Sequence, residues 1–157
     1  MNSNIKYGLY IAATLIGYFL IIDLLGLAEI IYLSFFNAVL TAGCIFLAVR
    51  DVYKHDKEQF KYMEGFTAGL LSGLIGTTIF TIFMAIYLFE VRPELAQALR
   101  EQITIAGSGI EFAIILFVFL SGVATTVTSA LVILPIYKQS WNTKRIRKDQ
   151  DPMNDKH

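Results

Sequence analysis

The chain has 157 residues, with 13 basic and 13 acidic side chains, a hydrophobic content of 55 % and a charged content of 17 %. Its mean hydropathy of +0.58 would force a water-soluble globule of this size to expose too much apolar surface. The charge balance excludes a basic nucleic-acid binder, and the single cysteine, Cys44, excludes a disulfide scaffold. What remains is an integral membrane protein, all-α and polytopic.

Four stretches are apolar over the roughly 20 residues that a helix needs to cross a bilayer. They run from about 7 to 27, 30 to 49, 65 to 89 and 110 to 137. Helices are required because lipid offers no partner to a free backbone N–H or C=O. The alternating pattern of a membrane β-barrel is absent. Residues 1–137 therefore read as one domain, a compact bundle of four transmembrane helices, and 138–157 as a basic tail.

Span one opens at Tyr7. Gly26-Leu27-Ala28 at its end resembles a small-residue cleavage site, but its apolar run is longer than the 7–15 residues usual in a signal peptide. Retention of the span is expected. Only a turn around Gly26 to Glu29 separates it from span two, which predicts an antiparallel helical hairpin. Span two carries a small and polar stripe, Ser34, Asn37, Thr41, Cys44 and Ala48, spaced by threes and fours as at a left-handed bundle seam. The inner loop, 50–64, interleaves Tyr53, Phe60 and Tyr62 with lysines, as suits a segment at headgroup level.

Span three holds Gly65, Gly69 and Gly73, with Gly76 three further on. Small residues four apart let a second helix approach closely, which matters where lipid supplies no hydrophobic drive for association. The pattern does not say whether that helix is another span of this chain, a second copy or another subunit. The connection from Glu90 to Gly109 is longer than packing requires. Pro93 suits the first position of a helix, and Leu95, Leu99 and Ile103 recur every fourth residue. A short amphipathic helix on the outer surface is expected there. Ser108 and Glu111 fit a capping box opening span four, in which Ser121, Thr125 and Ser129 form a polar row and Pro135 falls in the last turn.

Orientation follows from the basic residues. Eleven lie on the side of the termini and the 50–64 loop, and two, Arg92 and Arg100, on the other. Both termini should therefore be cytoplasmic. Trp141 sits where interfacial aromatics belong. The cluster Lys144, Arg145, Arg147 and Lys148 would attract anionic lipid or simply fix topology.

The lipid bilayer is the expected partner, with itself or another membrane subunit as a second and no nucleic acid. Asp23, Glu29, Glu90 and Glu111 fall near the outer ends of spans, and Asp23 is the most embedded. Ionisation inside a membrane is unfavourable, so such a carboxylate is a functional-site hypothesis by default. These four, with Asn37, would suit an ion or proton site; alternatively the carboxylates are solvated among headgroups. Neither His55 nor His157 has a second ligand at metal spacing. No catalytic constellation, metal site or cofactor motif is legible, and the chain does not read as an enzyme.

Lys6-Tyr7-Gly8, the run Tyr53-Lys54-His55 through Phe60 to Glu64-Gly65-Phe66, the glycine-rich start of span three and the long outer connection resemble a bacterial family of small four-span membrane proteins of unknown function. The resemblance implies the fold above, a bacterial inner membrane and no activity. Two functions are carried forward: a structural or accessory protein acting through helix–helix contacts, and a small transporter or ion- or proton-conducting protein using the outer carboxylates.

Overall fold

In a computed structural model, residues 3–28, 30–55, 62–95, 97 and 110–137 are described, with 31, 110 and 111 as backbone only. Helix α1 spans Ser3–Leu24, α2 Ile31–His55, α3 Tyr62–Ile86 and α4 Ile110–Ile133. A π-helical turn, Tyr87–Val91, continues α3, and a 3₁₀ turn, Leu134–Tyr137, closes α4. Among the described residues there is no strand. All four helices are long and apolar enough to cross a membrane. Their large exposed side chains are apolar, Leu24, Tyr32, Phe35 and Phe112 among them, which is the surface lipid covers. The chain is thus built as a multi-pass membrane protein.

The ends of the helices have local causes. Gly26 sits at φ +71°; its N–H donates to the Asp23 carbonyl at 2.9 Å, and that of Leu27 to the Ile22 carbonyl at 3.0 Å. These are the two bonds of a Schellman cap, so glycine at 26 ends α1 and turns the chain into the hairpin. At the other end of the bundle α2 runs on to His55, past the end of the apolar stretch. A helix need not stop where lipid stops: the Asp51 side chain accepts from Ser3 Oγ at 3.1 Å, tying the emergent turn to the start of α1. Proline at 135 lacks the N–H that an α-helix needs, and there α4 tightens into its 3₁₀ turn.

Helix α3 is the axis of the bundle. On one side it packs on α1, on the other on α4, and α2 touches all three. Its buried face is made largely of small residues: Gly65, Ala68, Gly69, Ser72, Gly73 and Gly76. A Cβ at Gly69 would lie 3.1 Å from Ile45 Cγ2 of α2. At Gly73 it would run into the Thr126 side chain of α4, and at Gly76 it would be 2.6 Å from Ile11 Cβ and 3.0 Å from the Gly8 carbonyl of α1. Gly8 returns the approach, since a Cβ there would meet Ile75 Cβ at 2.8 Å and the Ser72 carbonyl at 3.2 Å. The close-packing row is therefore filled by three helices of the same chain. Ile11, Leu15, Val49, Phe80, Met84 and Ile133 close the core around it.

Not every small residue lies at a seam. Gly17 and Gly43 have nothing within 4 Å of where a Cβ would stand. In span two the expected stripe is buried at Thr41 and Ala48 and half-buried at Asn37 and Cys44, whereas Ser34 is exposed. In α4 the fully buried hydroxyl is that of Thr126; Thr125 is half-buried and Ser121 exposed. Gly73 determines this choice, because the nearest approach of α4 to α3 falls opposite it.

Pro93 begins a helical turn at residues 93–95, and Leu95, only 3 % exposed, is turned into the bundle. The amphipathic segment is thus anchored in the core at its first apolar position. Leu99, Ile103, the Ser108–Glu111 capping box, Trp141 and the basic cluster Lys144, Arg145, Arg147 and Lys148 lie outside the described residues or side chains.

Candidate functional site

The end of the bundle that carries the α1–α2 hairpin holds a polar cluster built from two helix ends. Asp23 stands in the last turn of α1, where the helix dipole places partial negative charge. A carboxylate there is unfavourable unless a cation or donors compensate it. The compensation comes from α3 and the segment after it. Tyr87 Oη donates to Asp23 Oδ2 at 2.6 Å, and Arg92 Nη1 donates to the same oxygen at 3.2 Å. The Asp23 side chain is 8 % exposed and that of Arg92 43 %. The pair straddles the boundary between core and surroundings, with the cation outermost.

Aromatic rings wall the cluster. Phe19 stands edge-on to Tyr87 at 5.2 Å, and Phe83 lies 5.5 Å from the same ring. They hold the phenol pointing at Asp23 and keep water from its ring face. Two buried atoms of the cluster stay without a hydrogen-bond partner, Asp23 Oδ1 and Arg92 Nε. Both belong to the ion pair, which is single-pronged where an arginine and a carboxylate can form two parallel bonds. The phenol, bonded to Oδ2, occupies the space beside that oxygen.

The helix pitch brings Tyr87 and Arg92 to one carboxylate. In an α-helix, residues five apart point about 140° away from each other. Here the chain makes a π turn, closed by the Arg92 N–H donating to the Tyr87 carbonyl at 2.8 Å, and the two side chains stack on one face. Such turns inside helices are rare and frequent at functional sites.

Of the five residues expected at an ion or proton site, Asp23 is at this cluster and Glu90 is exposed on the π turn. The side chains of Glu29 and Glu111 lie outside the described set. Asn37 is two turns into α2, half-buried, with its Oδ1 buried and unpartnered. Among the described residues no hydrogen bond joins it to Asp23. The expectation of several carboxylates acting together therefore reduces, in what is described, to one carboxylate neutralised by one arginine. In the sequence Arg92 enters only as a charge to be counted, and Tyr87 has no role. A lone arginine just past a span, opposite an embedded aspartate, is the available signal, and the five-residue spacing conceals it.

The opposite end, where α1 starts and α4 finishes, carries ordinary interfacial features. Lys6 Nζ lies over the Tyr7 and Tyr10 rings at 5.3 and 5.9 Å. Tyr137 packs on Tyr53 and Phe46. A shallow, open cleft beside them is lined by Asn4, Val52, Met63, Glu64, Thr67 and Ala68. Cys44 reaches Thr14 Oγ1 at 4.0 Å, a packing contact between α1 and α2.

Residues 6–109 match the model of a family described as "Protein of unknown function (DUF4199)". The matched stretch takes in α1 from Lys6 onward, α2, α3 and the whole Asp23–Tyr87–Arg92 cluster. No curated protein and no solved structure matches the chain.

Proposed function

We propose that this chain, which belongs to the DUF4199 family of proteins of unknown function, is a structural or accessory membrane protein and not an enzyme, acting through its outward helix faces on a second copy or a larger complex. The supporting observation is the filled interior. Gly69, Gly73 and Gly76, which could have joined α3 to another protein, are used up against α2, α4 and α1, and Ile11, Ile45 and Leu134 seal the centre. Among the described residues a single copy encloses no passage along its axis, so its action falls to its surface. The basic-residue bias of its sequence supports termini on the cytoplasmic side, and the resemblance to a bacterial family supports a bacterial inner membrane.

Native co-purification tests this reading. The tagged chain, expressed at its own level and extracted in mild detergent, is sized and its companions are identified. A stoichiometric partner or a homo-oligomer supports an accessory role; a lone monomer refutes it.

One observation favours a second reading, a small ion- or proton-conducting protein. Asp23 is embedded and its Oδ1 has no donor, and an ionisable group inside a membrane is by default a candidate for an ion or proton path. In proteoliposomes that reading requires a flux that Asp23→Asn abolishes. Wild-type flux equal to that of empty vesicles removes it.

A further inference from the structure

We infer that the tether from Asp23 to Tyr87 and Arg92 holds residues 87–91 in their π turn, making the end of α3 a two-state element whose pitch α1 sets. The local sequence does not demand such a turn. Tyr-Leu-Phe-Glu-Val contains no glycine or proline, and nothing in it prevents an α-helix. Pro93 explains where the helix stops, because a proline disfavours helical conformation in the residue before it, and Arg92 has indeed left the helical region at φ −134°, ψ 66°. It does not explain the pitch of the five residues upstream, which an α-helix could carry as far as Val91.

The tether does explain it. With α pitch, Tyr87 and Arg92 would diverge by about 140°, and only one of them could reach Asp23. Opening the turn by one residue lets both donate to Oδ2, at 2.6 and 3.2 Å. The gain is a compensated carboxylate at the unfavourable end of the α1 dipole. The loss is the poorer hydrogen-bond geometry of a π turn. Remove the acceptor and the balance reverses, so the turn rewinds. Leu88, buried at 2 % exposure, keeps the start of the turn in place, and the one-residue change of register falls on the segment leading to Leu95.

The two states differ in which amide closes on the Tyr87 carbonyl: Arg92 in the π form and Val91 in the α form. Cross-hydrogen-bond couplings between amide nitrogen and carbonyl carbon, resolved by NMR in detergent micelles, read this directly. Asp23→Leu, which removes the acceptor and keeps the branching at Cγ, should abolish the coupling of the Arg92 amide to the Tyr87 carbonyl; the Val91 amide takes that carbonyl and Arg92 passes to the Leu88 carbonyl. Tyr87→Phe should give a smaller loss. Pro93→Ala should leave the Arg92 coupling to Tyr87 in place. Deleting Glu90 places Tyr87 and Arg92 four apart, about 40° from each other in an α-helix. In that background Asp23→Leu should no longer change which residue closes on Tyr87. Protection of the Ile11 and Ile45 amides from exchange reports that each variant is folded. If Asp23→Leu itself unfolds, the Tyr87→Phe and Glu90-deletion results decide. An unchanged coupling of the Arg92 amide to the Tyr87 carbonyl in a folded Asp23→Leu or Tyr87→Phe protein, or its loss in Pro93→Ala, overturns the inference.

Discussion

Replacing Gly73 by alanine tests the central packing claim with one methyl group. The added Cβ would run into Thr126 Cγ2 and stand 2.6 Å from its Oγ1 and 2.9 Å from its Cβ. Rotating the threonine relieves the first two contacts at most. The third is fixed to the α4 backbone, and Thr126 is fully buried, so α3 and α4 must part by some tenths of an ångström along their seam. Overpacking of this kind loses about 1–3 kcal/mol, against the roughly 0.5–1 kcal/mol that alanine gains over glycine inside a helix. The midpoints of the two ranges leave an expected net destabilisation of about 1 kcal/mol. Gly17→Ala is the control, because nothing stands within 4 Å of its Cβ; there only the helix gain remains and stability should rise or hold. Thr126→Ala in the Gly73→Ala background removes both offending γ atoms. It leaves no donor stranded, since Thr126 Oγ1 has no partner, and should recover about half of the loss. Denaturant unfolding in mixed micelles, followed by circular dichroism, measures all four proteins. If Gly73→Ala is as stable as the parent, or Gly17→Ala loses as much, the close approach of α3 to α4 is wrong.

Three further outcomes follow from the geometry. In a double-mutant cycle of Asp23→Asn and Arg92→Gln, unfolding free energies should show a favourable coupling of about 1 kcal/mol, held low by the 43 % exposure of the arginine; zero coupling would mean the pair is structurally idle. Gly26→Ala meets no neighbour yet forces an L-residue to φ +71°, and should destabilise by about 1–2 kcal/mol in the same unfolding assay, whereas Gly26→Asn should lose less. Gly76→Leu should drive α1 off α3, because its side chain must enter the space of Ile11; a thiol reagent should then reach a cysteine placed at Ala12, which is protected in the parent.

The separation of roles between sequence and tertiary structure is visible residue by residue. The glycine spacing of span three marks a close-packing face, because side-chain size limits helix separation whatever the neighbour is. Size is silent about identity, so the same spacing fits a partner molecule and an intramolecular helix equally. Only the fold assigns Gly69 to α2, Gly73 to α4 and Gly76 to α1. Likewise Gly17 and Gly43 look as suited to a seam as Gly8, and rotation of each helix about its axis, a matter of packing, leaves them outside.

Asp23 is legible as an unusual charge from composition and depth alone. Its partners are not, because sequence periodicity assumes a single pitch, and at 3.6 residues per turn Tyr87 and Arg92 belong to different faces. A tertiary contact with α1 alters the pitch and thereby creates the face. What the sequence determined by itself is what lipid imposes locally on every residue: four apolar helices, with little more than a turn between the first two. Which faces meet, and which donors converge on the embedded carboxylate of Asp23, the tertiary structure decided, since those depend on the relative rotation and register of helices far apart in the chain.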